Sequence, residues 1–336
     1  MQRLRSIDAH GGGMPLRLVV EGFPSPPGRT MAEKLAWARR HADHIRQALM
    51  LEPRGHADMC GAALTEPVSP GSNAGVLFMH GSDFADAFDH GIIALSTIAI
   101  ERGLIVPGGD GRHLVFDTVA GPVGARVVAG HAKLETGGPR VTSVSCSAPP
   151  SFVVRGGLTV RAGGRTLPVD LAYGGACYAV VDSEAAGLGL TAQHIPAIRR
   201  MGAAILEAIG AVRFAHPVYD AIRGVHGVVF TGPASLPEAD LRAVLMFGDG
   251  QIAASPTEAG SAAIVAVLDA IGLLTDEGAL ALDSLTGAMW SARIASRTSL
   301  GEIEAVVPEV QGSAWLTGDH TFTVLPDDPL KTGFRL

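Results

Sequence analysis

No apolar run of about 18 residues or more, the length needed to cross a bilayer, occurs in this chain. The amino-terminal stretch MQRLRSIDAHGGG also lacks the apolar core of a signal peptide. Neither membrane insertion nor export is expected, and the expected location is cytoplasmic. Cysteine is scarce: Cys60, Cys146 and Cys177 are the only three, with no CxxC pair. That excludes a disulfide framework or a zinc knuckle and leaves reduced, mostly buried thiols, so no metal is expected. Charge is sparse at 18%, with a net charge of -7 and no basic cluster. Nucleic acid, whose binding rests on phosphate neutralisation, is therefore excluded as a partner in favour of a small molecule. What is abundant is apolar residue, 47% of 336, enough for a large core in two domains.

The segment from Thr30 to Met50 reads as one helix. Thr30 and Glu33 form a capping box, Leu35, Ala38, Ile45 and Leu49 recur at near-helical spacing, and Pro53 stops it. Elsewhere short β-like runs predominate, at Leu16 to Val20, Gly75 to Met79, Arg126 to Val128, Leu158 to Val160, Val228 to Phe230 and Ala243 to Phe247. Many of the 43 glycines punctuate them. The fold class expected is mixed α and β with short strands.

An internal echo carries more information. Phe88-Asp89-His90-Gly91-Ile92-Ile93-Ala94 is matched half a chain later by Thr257-Glu258-Ala259-Gly260-Ser261-Ala262-Ala263. Each copy leads through glycine into an uncharged apolar stretch, Ile92 to Ile100 and Ala262 to Leu268. Helices apolar all round belong at the centre of a domain. Two similar halves follow, each wrapping strands around one central helix, with both helix N-termini facing one cleft and able to bind a carboxylate there. Chance similarity among small residues is the competing explanation. The triplet Gly11-Gly12-Gly13 is not a phosphate loop, because neither the following Lys-Ser/Thr nor a strand-to-helix setting is present.

The chain resembles the proline racemase family, and especially its trans-3-hydroxy-L-proline dehydratase branch. The resemblance is carried by Met50 to Met59 (MLEPRGHADM), Phe78-Met79-His80, His90 to Ala94, Pro149 to Val153, and Tyr173-Gly174-Gly175. It continues through Phe230 to Pro233, Asp249-Gly250-Gln251, Ser255-Pro256, and Ile303 to Leu336. It implies two pseudo-symmetric α/β domains of the diaminopimelate-epimerase type, each a curled sheet around a central helix, with the active site in the cleft between them. The halves would be 1–140 with 316–336 packing back on it, and 141–315. The resemblance further implies a homodimer, no cofactor, and proton transfer by one thiol per half in racemases. Dehydratases would keep the first thiol and carry threonine at the second position.

Carried over residue by residue, the first thiol position falls on Phe88 and the following glycine on Asp89, while the family histidine is His90. The second motif, Asp-Arg-Ser-Pro-Cys/Thr-Gly-Thr-Gly in the family, reads Ala253-Ala254-Ser255-Pro256-Thr257-Glu258-Ala259-Gly260. The amine-binding aspartate is gone and the threonine stays. Phenylalanine cannot accept a proton, so ordinary two-cysteine racemisation is not expected.

Asp89 and Glu258 stand at equivalent places in the two copies. As an acid–base pair they would move protons if their surroundings separate their acidities; as simple helix caps they would need no function at all. Both readings stay open. Two carboxylates here would also repel an anionic amino acid, which favours a neutral, cationic or carboxylate-masked ring compound. His90 is a candidate amine contact or base, or only a loop hydrogen bonder. Thr257 is a candidate to position a hydroxyl or to cap its helix. Phe88, Gly91, Ser255, Gly260, Asp83 and Cys177 are expected to line the substrate. For Asp83, with Asp86, the competing reading is a solvated loop, and for Cys177 a buried inert thiol. His216, before Pro217, is expected to be structural. The expected function is a cofactor-independent lyase or isomerase acting by proton transfer on a proline-like or other small nitrogen heterocycle. An inactive paralogue that binds a small molecule or partner, and a residual trans-3-hydroxy-L-proline dehydratase, are the alternatives.

Overall fold

The computed structural model describes the chain except residues 89, 109–110, 134–137, 211, 213, 220–221 and 336, and the side chains of 131–133. It divides into two compact units, one of 1–87, 91–144 and 313–336, the other of 88–90 and 145–312.

The first unit begins with β1 (Gln2–Gly11) and β2 (Met14–Glu21), followed by α1 (Met31–His41) and α2 (Asp43–Met50). Next come β3 (Cys60–Thr65), β4 (Ala74–His80), α3 (Ile92–Glu101), β5 (His113–Thr118), β6 (Gly121–Lys133) and β7 (Pro139–Ser147), whose last residues belong to the second unit. The second unit continues with β8 (Phe152–Ala162), β9 (Arg165–Tyr173), β10 (Cys177–Asp182), α4 (Ile195–Ile209), β11 (Gly227–Pro233) and β12 (Leu241–Phe247). It ends with α5 (Glu258–Ala270), β13 (Ala279–Asp283), β14 (Met289–Leu300) and β15 (Ile303–Gly312), after which β16 (Ala314–Val324) returns to the first. Each expected β-like run falls inside one of these strands.

Within the first unit the strand order is β16-β1-β2-β3-β4-β5-β6-β7, and within the second it is β8-β9-β10-β11-β12-β13-β14-β15. From β16 to β6 the neighbours run antiparallel, antiparallel, parallel, antiparallel, parallel, antiparallel. From β8 to β14 they repeat the same series. A parallel pair cannot be joined by a hairpin and needs a crossover, usually a helix. The helices stand at those joints: α1 and α2 between β2 and β3, α3 between β4 and β5, α4 between β10 and β11, α5 between β12 and β13. The echo of apolar segments thus marks topologically equivalent helices.

Every residue of α3 except Ile100 is buried, and so are the first ten of α5. The outer helices cover the opposite faces: Leu35, Ala38, Ile45 and Leu49 pack with Leu77 and Met79 in the first unit. Ile198 and Ile205 pack with Val228, Phe230 and Met246 in the second. The single helix expected over 30–50 is broken at Ala42, whose φ of -123° and ψ of 3° lie outside the helical region. Ala42 is fully buried, and Asp43 opens α2 by accepting from Arg46 Nε at 2.6 Å. The break lets both apolar stripes reach one core. Thr30 caps α1 by accepting from Glu33 N at 3.1 Å, but the Glu33 carboxylate reaches back to Arg29 N rather than Thr30 N.

One acid clamps the same turn in both units. Asp117 on β5 accepts from Val68 N, Ser69 N and Ser72 Oγ at 2.7 to 2.9 Å. Asp283 on β13 accepts from Ser235 N at 3.0 Å and from Arg242 Nη2 at 2.9 Å. Burial works against each carboxylate, but the hydrogen bonds prevail and hold both below the ordinary value, with Arg242 adding its charge for Asp283.

Candidate functional site

Residues 88–90 sit in sequence between first-unit segments but group with the second unit. Phe88 is wholly buried. Its N–H donates to Gly175 O at 3.2 Å, and a Cβ placed on Gly175, at φ 115°, would stand 2.4 Å from the Phe88 ring. The neighbouring Gly174 lies against the first turns of α5, where a Cβ would come within 2.5 Å of Ala259 O and Ala263 N. The Tyr173-Gly174-Gly175 segment is therefore a thin backbone layer with α5 on one residue and the Phe88 ring on the next. His90, also buried, has its ring 6.2 Å from that of Phe247 at the end of β12.

Beyond β12 the chain folds back, Phe247 N donating to Gln251 O and Ala253 N to Leu245 O, which delivers Ser255 and Thr257 to the start of α5. Thr257 caps that helix: its Oγ1 accepts from Gly260 N at 3.0 Å, and its carbonyl accepts from Ser261 Oγ at 2.7 Å. Its φ of 60° and ψ of 153° belong to a region reserved for glycine, and a β-branched residue there stores strain of ~1–3 kcal/mol. Ser255 is fully buried, and its Oγ has no hydrogen-bond partner among the described residues. Glu258, the first residue of α5, is 1% exposed. Its carboxylate and that of Glu309 reach the buried Cys146: burial first, then these charges, push that thiol well up. Burial alone pushes Cys177 up to about 12, so this thiol stays protonated at neutral pH.

The second unit thus gathers Phe88, His90, Ser255, Thr257, Glu258, Gly260 and Cys177. Asp89 lies outside the described residues. In the other unit Gly91 caps α3 at φ 110°, and a Cβ there would approach the Phe78 ring at 2.9 Å. Asp83 is on a loop, half exposed and ion-paired with Arg39 at 3.1 Å. His216 has Nδ1 accepting from Val218 N and Tyr219 N at 3.1 Å, with its ring 4.5 Å from that of Tyr173; burial lowers it to about 4. The neutral ring is structural. The sequence reading missed Cys146 as a neighbour of Glu258, and only a strand register, which no local pattern supplies, could have placed it there. Among the described residues no cluster of three or more His, Cys, Asp and Glu side chains could hold a metal ion, and no helix is long and apolar enough to cross a membrane.

Comparison with known proteins extends these observations to the whole chain. The family model described as proline racemase matches residues 6–335. A trans-3-hydroxy-L-proline dehydratase of Bacillus thuringiensis subsp. konkukian is 38% identical over 98% of this chain and 97% of its own. A proline racemase of Acetoanaerobium sticklandii is 32% identical over 99% and 98%. Among solved structures, a hydroxyproline epimerase from Agrobacterium vitis with bound trans-4-OH-L-proline superposes with a TM-score of 0.89 at 25% identity, covering 100% of this chain and 96% of that one. With its two units of like topology and a family match running from end to end, this chain belongs to the proline racemase family.

Proposed function

We propose that this protein is a lyase or isomerase that moves a proton on a proline-like or other small nitrogen heterocycle without a cofactor, by chemistry that differs from two-thiol racemisation. The observation that carries the reading is Glu258. Thr257 Oγ1 already serves as the cap of α5, and Glu258 is buried beside it rather than set out in solvent. An acid kept from bulk water exchanges its proton with a bound ring rather than with solvent. In the proposal Glu258 takes or returns the proton at a ring carbon, with Asp89 as its counterpart and His90 holding the ring nitrogen. Ser255 Oγ, buried without a partner, is a hydroxyl for a substrate group to satisfy, since leaving it unpaired costs ~1–3 kcal/mol.

Phe88 takes no part in proton transfer. Its ring, packed on Gly175, is an apolar wall that keeps water from the ring. The named relatives act on proline and hydroxyprolines, which supports a proline-like skeleton. The carboxylate of Glu258 disfavours a free substrate carboxylate, so an amide or other masked derivative fits better. The test is incubation in deuterium oxide with proline, trans-3-hydroxy-L-proline, trans-4-hydroxy-L-proline and their carboxamides, read by mass and proton resonance. The reading expects deuterium incorporation or loss of water from at least one ring, faster for the carboxamides. No incorporation and no elimination from any of them would overturn it.

A further inference from the structure

We infer that the first unit carries a ligand site of its own, a cavity of about 310 Å³ between α2, the open end of the β1–β16 ladder and the tail after β16, and that it takes a short aliphatic carboxylate. The volume stands at the small end of the ~300–1,000 Å³ usual for ligand cavities. All of its walls belong to the first unit. The inference does not rest on the proposed function, because no residue given a role there lines this cavity.

The chain builds the cavity by ending a strand and folding back. β16 closes on β1 at Val324, which faces Gln2. Leu325 and Pro326 then leave the ladder, and the tail is drawn into an arch: Asp328 N donates to Leu325 O at 3.3 Å, and Lys331 N to Asp328 O at 3.2 Å. Two footings hold the arch to the loop after α2. Arg54 pairs with Asp328 and donates to Leu330 O at 3.1 Å, and Phe334 N donates to Glu52 O at 2.9 Å. The helix α2 supplies the facing wall. Its Ile45 and Leu49 pack into the core, so His44 and Ala48, one turn apart on the adjoining flank, border the cavity. Walls fixed in this way spare a ligand the cost of ordering them.

The lining chooses the ligand. Ala48, Val324, Leu325 and Pro326 make a mainly apolar surface, and Leu325 and Met1 leave 47% and 73% of their area to solvent at its edge. Covering such surface is favourable. The charged and hydroxyl groups there are donors, the Lys331 ammonium and Thr332 hydroxyl from the tail and the His44 ring from α2. Lys331 gives one proton to Pro326 O at 2.9 Å, which fixes the ammonium and leaves it two further N–H groups. Among the described residues none that lines the cavity is acidic. The acids beside it are engaged: Asp328 accepts from Arg54 and, at 2.8 Å, from Leu330 N, while Asp43 accepts from Arg46 Nε at 2.6 Å and Gln47 Nε2 at 2.5 Å. A positive rim over an apolar pocket selects a negative head on a hydrocarbon body. A carboxylate gains charge-assisted hydrogen bonds from the ammonium, and the volume limits the body to a short chain.

Hexanoate is the probe, titrated with the intact protein and followed by the broadening of its proton resonances. Saturable binding is expected. Hexylamine, with the same body and the opposite charge, and acetate, with the charge but almost no body, should each bind ~10-fold or more weakly. Two variants locate the site. Lys331→Met removes the charge and keeps an apolar stem, and Leu325→Glu sets a carboxylate at the mouth; each should weaken hexanoate ~10- to 100-fold. Both positions are exposed, so melting temperatures should stay near that of the parent. Hexylamine bound as tightly as hexanoate, hexanoate bound at parent strength in either variant, or no saturable binding to the parent would each overturn the inference. Should one variant fail to fold, the other and the comparison of probes still decide. None of these readouts uses turnover, so the result stands apart from the outcome for Glu258.

Discussion

In the first unit α3 begins at Ile92 behind a glycine cap at φ 110°, while in the second α5 begins at Glu258 behind Thr257 at φ 60°. The strand series around the two helices is the same, so the difference is local. The echo pairs Gly91 with Gly260, yet Gly91 precedes its helix and Gly260 lies inside the first turn of its own. Ala259 and Gly260 are thus wound into α5, whereas their echoes His90 and Gly91 precede α3. The comparison teaches that a duplicated scaffold keeps its topology cheaply, because crossovers and apolar helices specify it. The few residues around each helix start are where the two halves differ.

The same contrast recurs at the turn clamps and allows the comparison to be broken deliberately. Asp283 faces Arg242 across β12–β13, whereas Asp117 faces Gly75 at the matching register. Removing one partner of a buried ion pair leaves the other charge uncompensated. Asp283→Asn should therefore cost ~3–5 kcal/mol in denaturant unfolding, and Asp117→Asn, which loses only neutral donors, ~1–3 kcal/mol. Equal losses would mean that Arg242 contributes nothing particular to its half.

The caps give the next effects in size. Gly91→Ala places a Cβ against Phe78 at a φ that only glycine adopts without strain, and should lower stability by ~1–3 kcal/mol. Thr257→Gly relieves strain of similar size and loses a cap worth a few tenths, so its stability should stay within about 1 kcal/mol of the parent, on the stabilising side. Melting temperatures that fall alike in both variants would contradict the assignment of strain to Thr257.

The smallest effect is a pH dependence. His216 goes from 6.5 when unfolded to about 4 when folded. The unfolded chain therefore binds the extra proton first, and the contribution, fully present above pH 6.5, is lost as pH falls toward 4. His216→Asn keeps an acceptor for the following N–H groups but removes the titration. The fall in melting temperature over that interval should be shallower in the variant, and an unchanged slope would place the acid sensitivity elsewhere.

Much of this fold is legible in the sequence for identifiable reasons. The uncharged stretches after Gly91 and Gly260 predict buried central helices because nothing in them tolerates water, and both are buried. The short β-like runs become strands. The break at Ala42 is invisible because the apolar spacing continues across it. The early start of α5 is hidden because Glu258, Ala259 and Gly260 read as a turn. At the site, the roles of Thr257 and Glu258 could be set out only as alternatives, since which side chain caps the helix depends on how the chain enters it.

The account stands most directly on Glu258. Deuterium incorporation into the best ring substrate of the panel, measured for the parent protein and for Glu258→Gln at equal folded concentration, tests it. The account predicts a fall of ~100- to 10,000-fold in kcat, as loss of a general acid or base produces, with the melting temperature nearly kept. Incorporation at the parent rate in Glu258→Gln would contradict it.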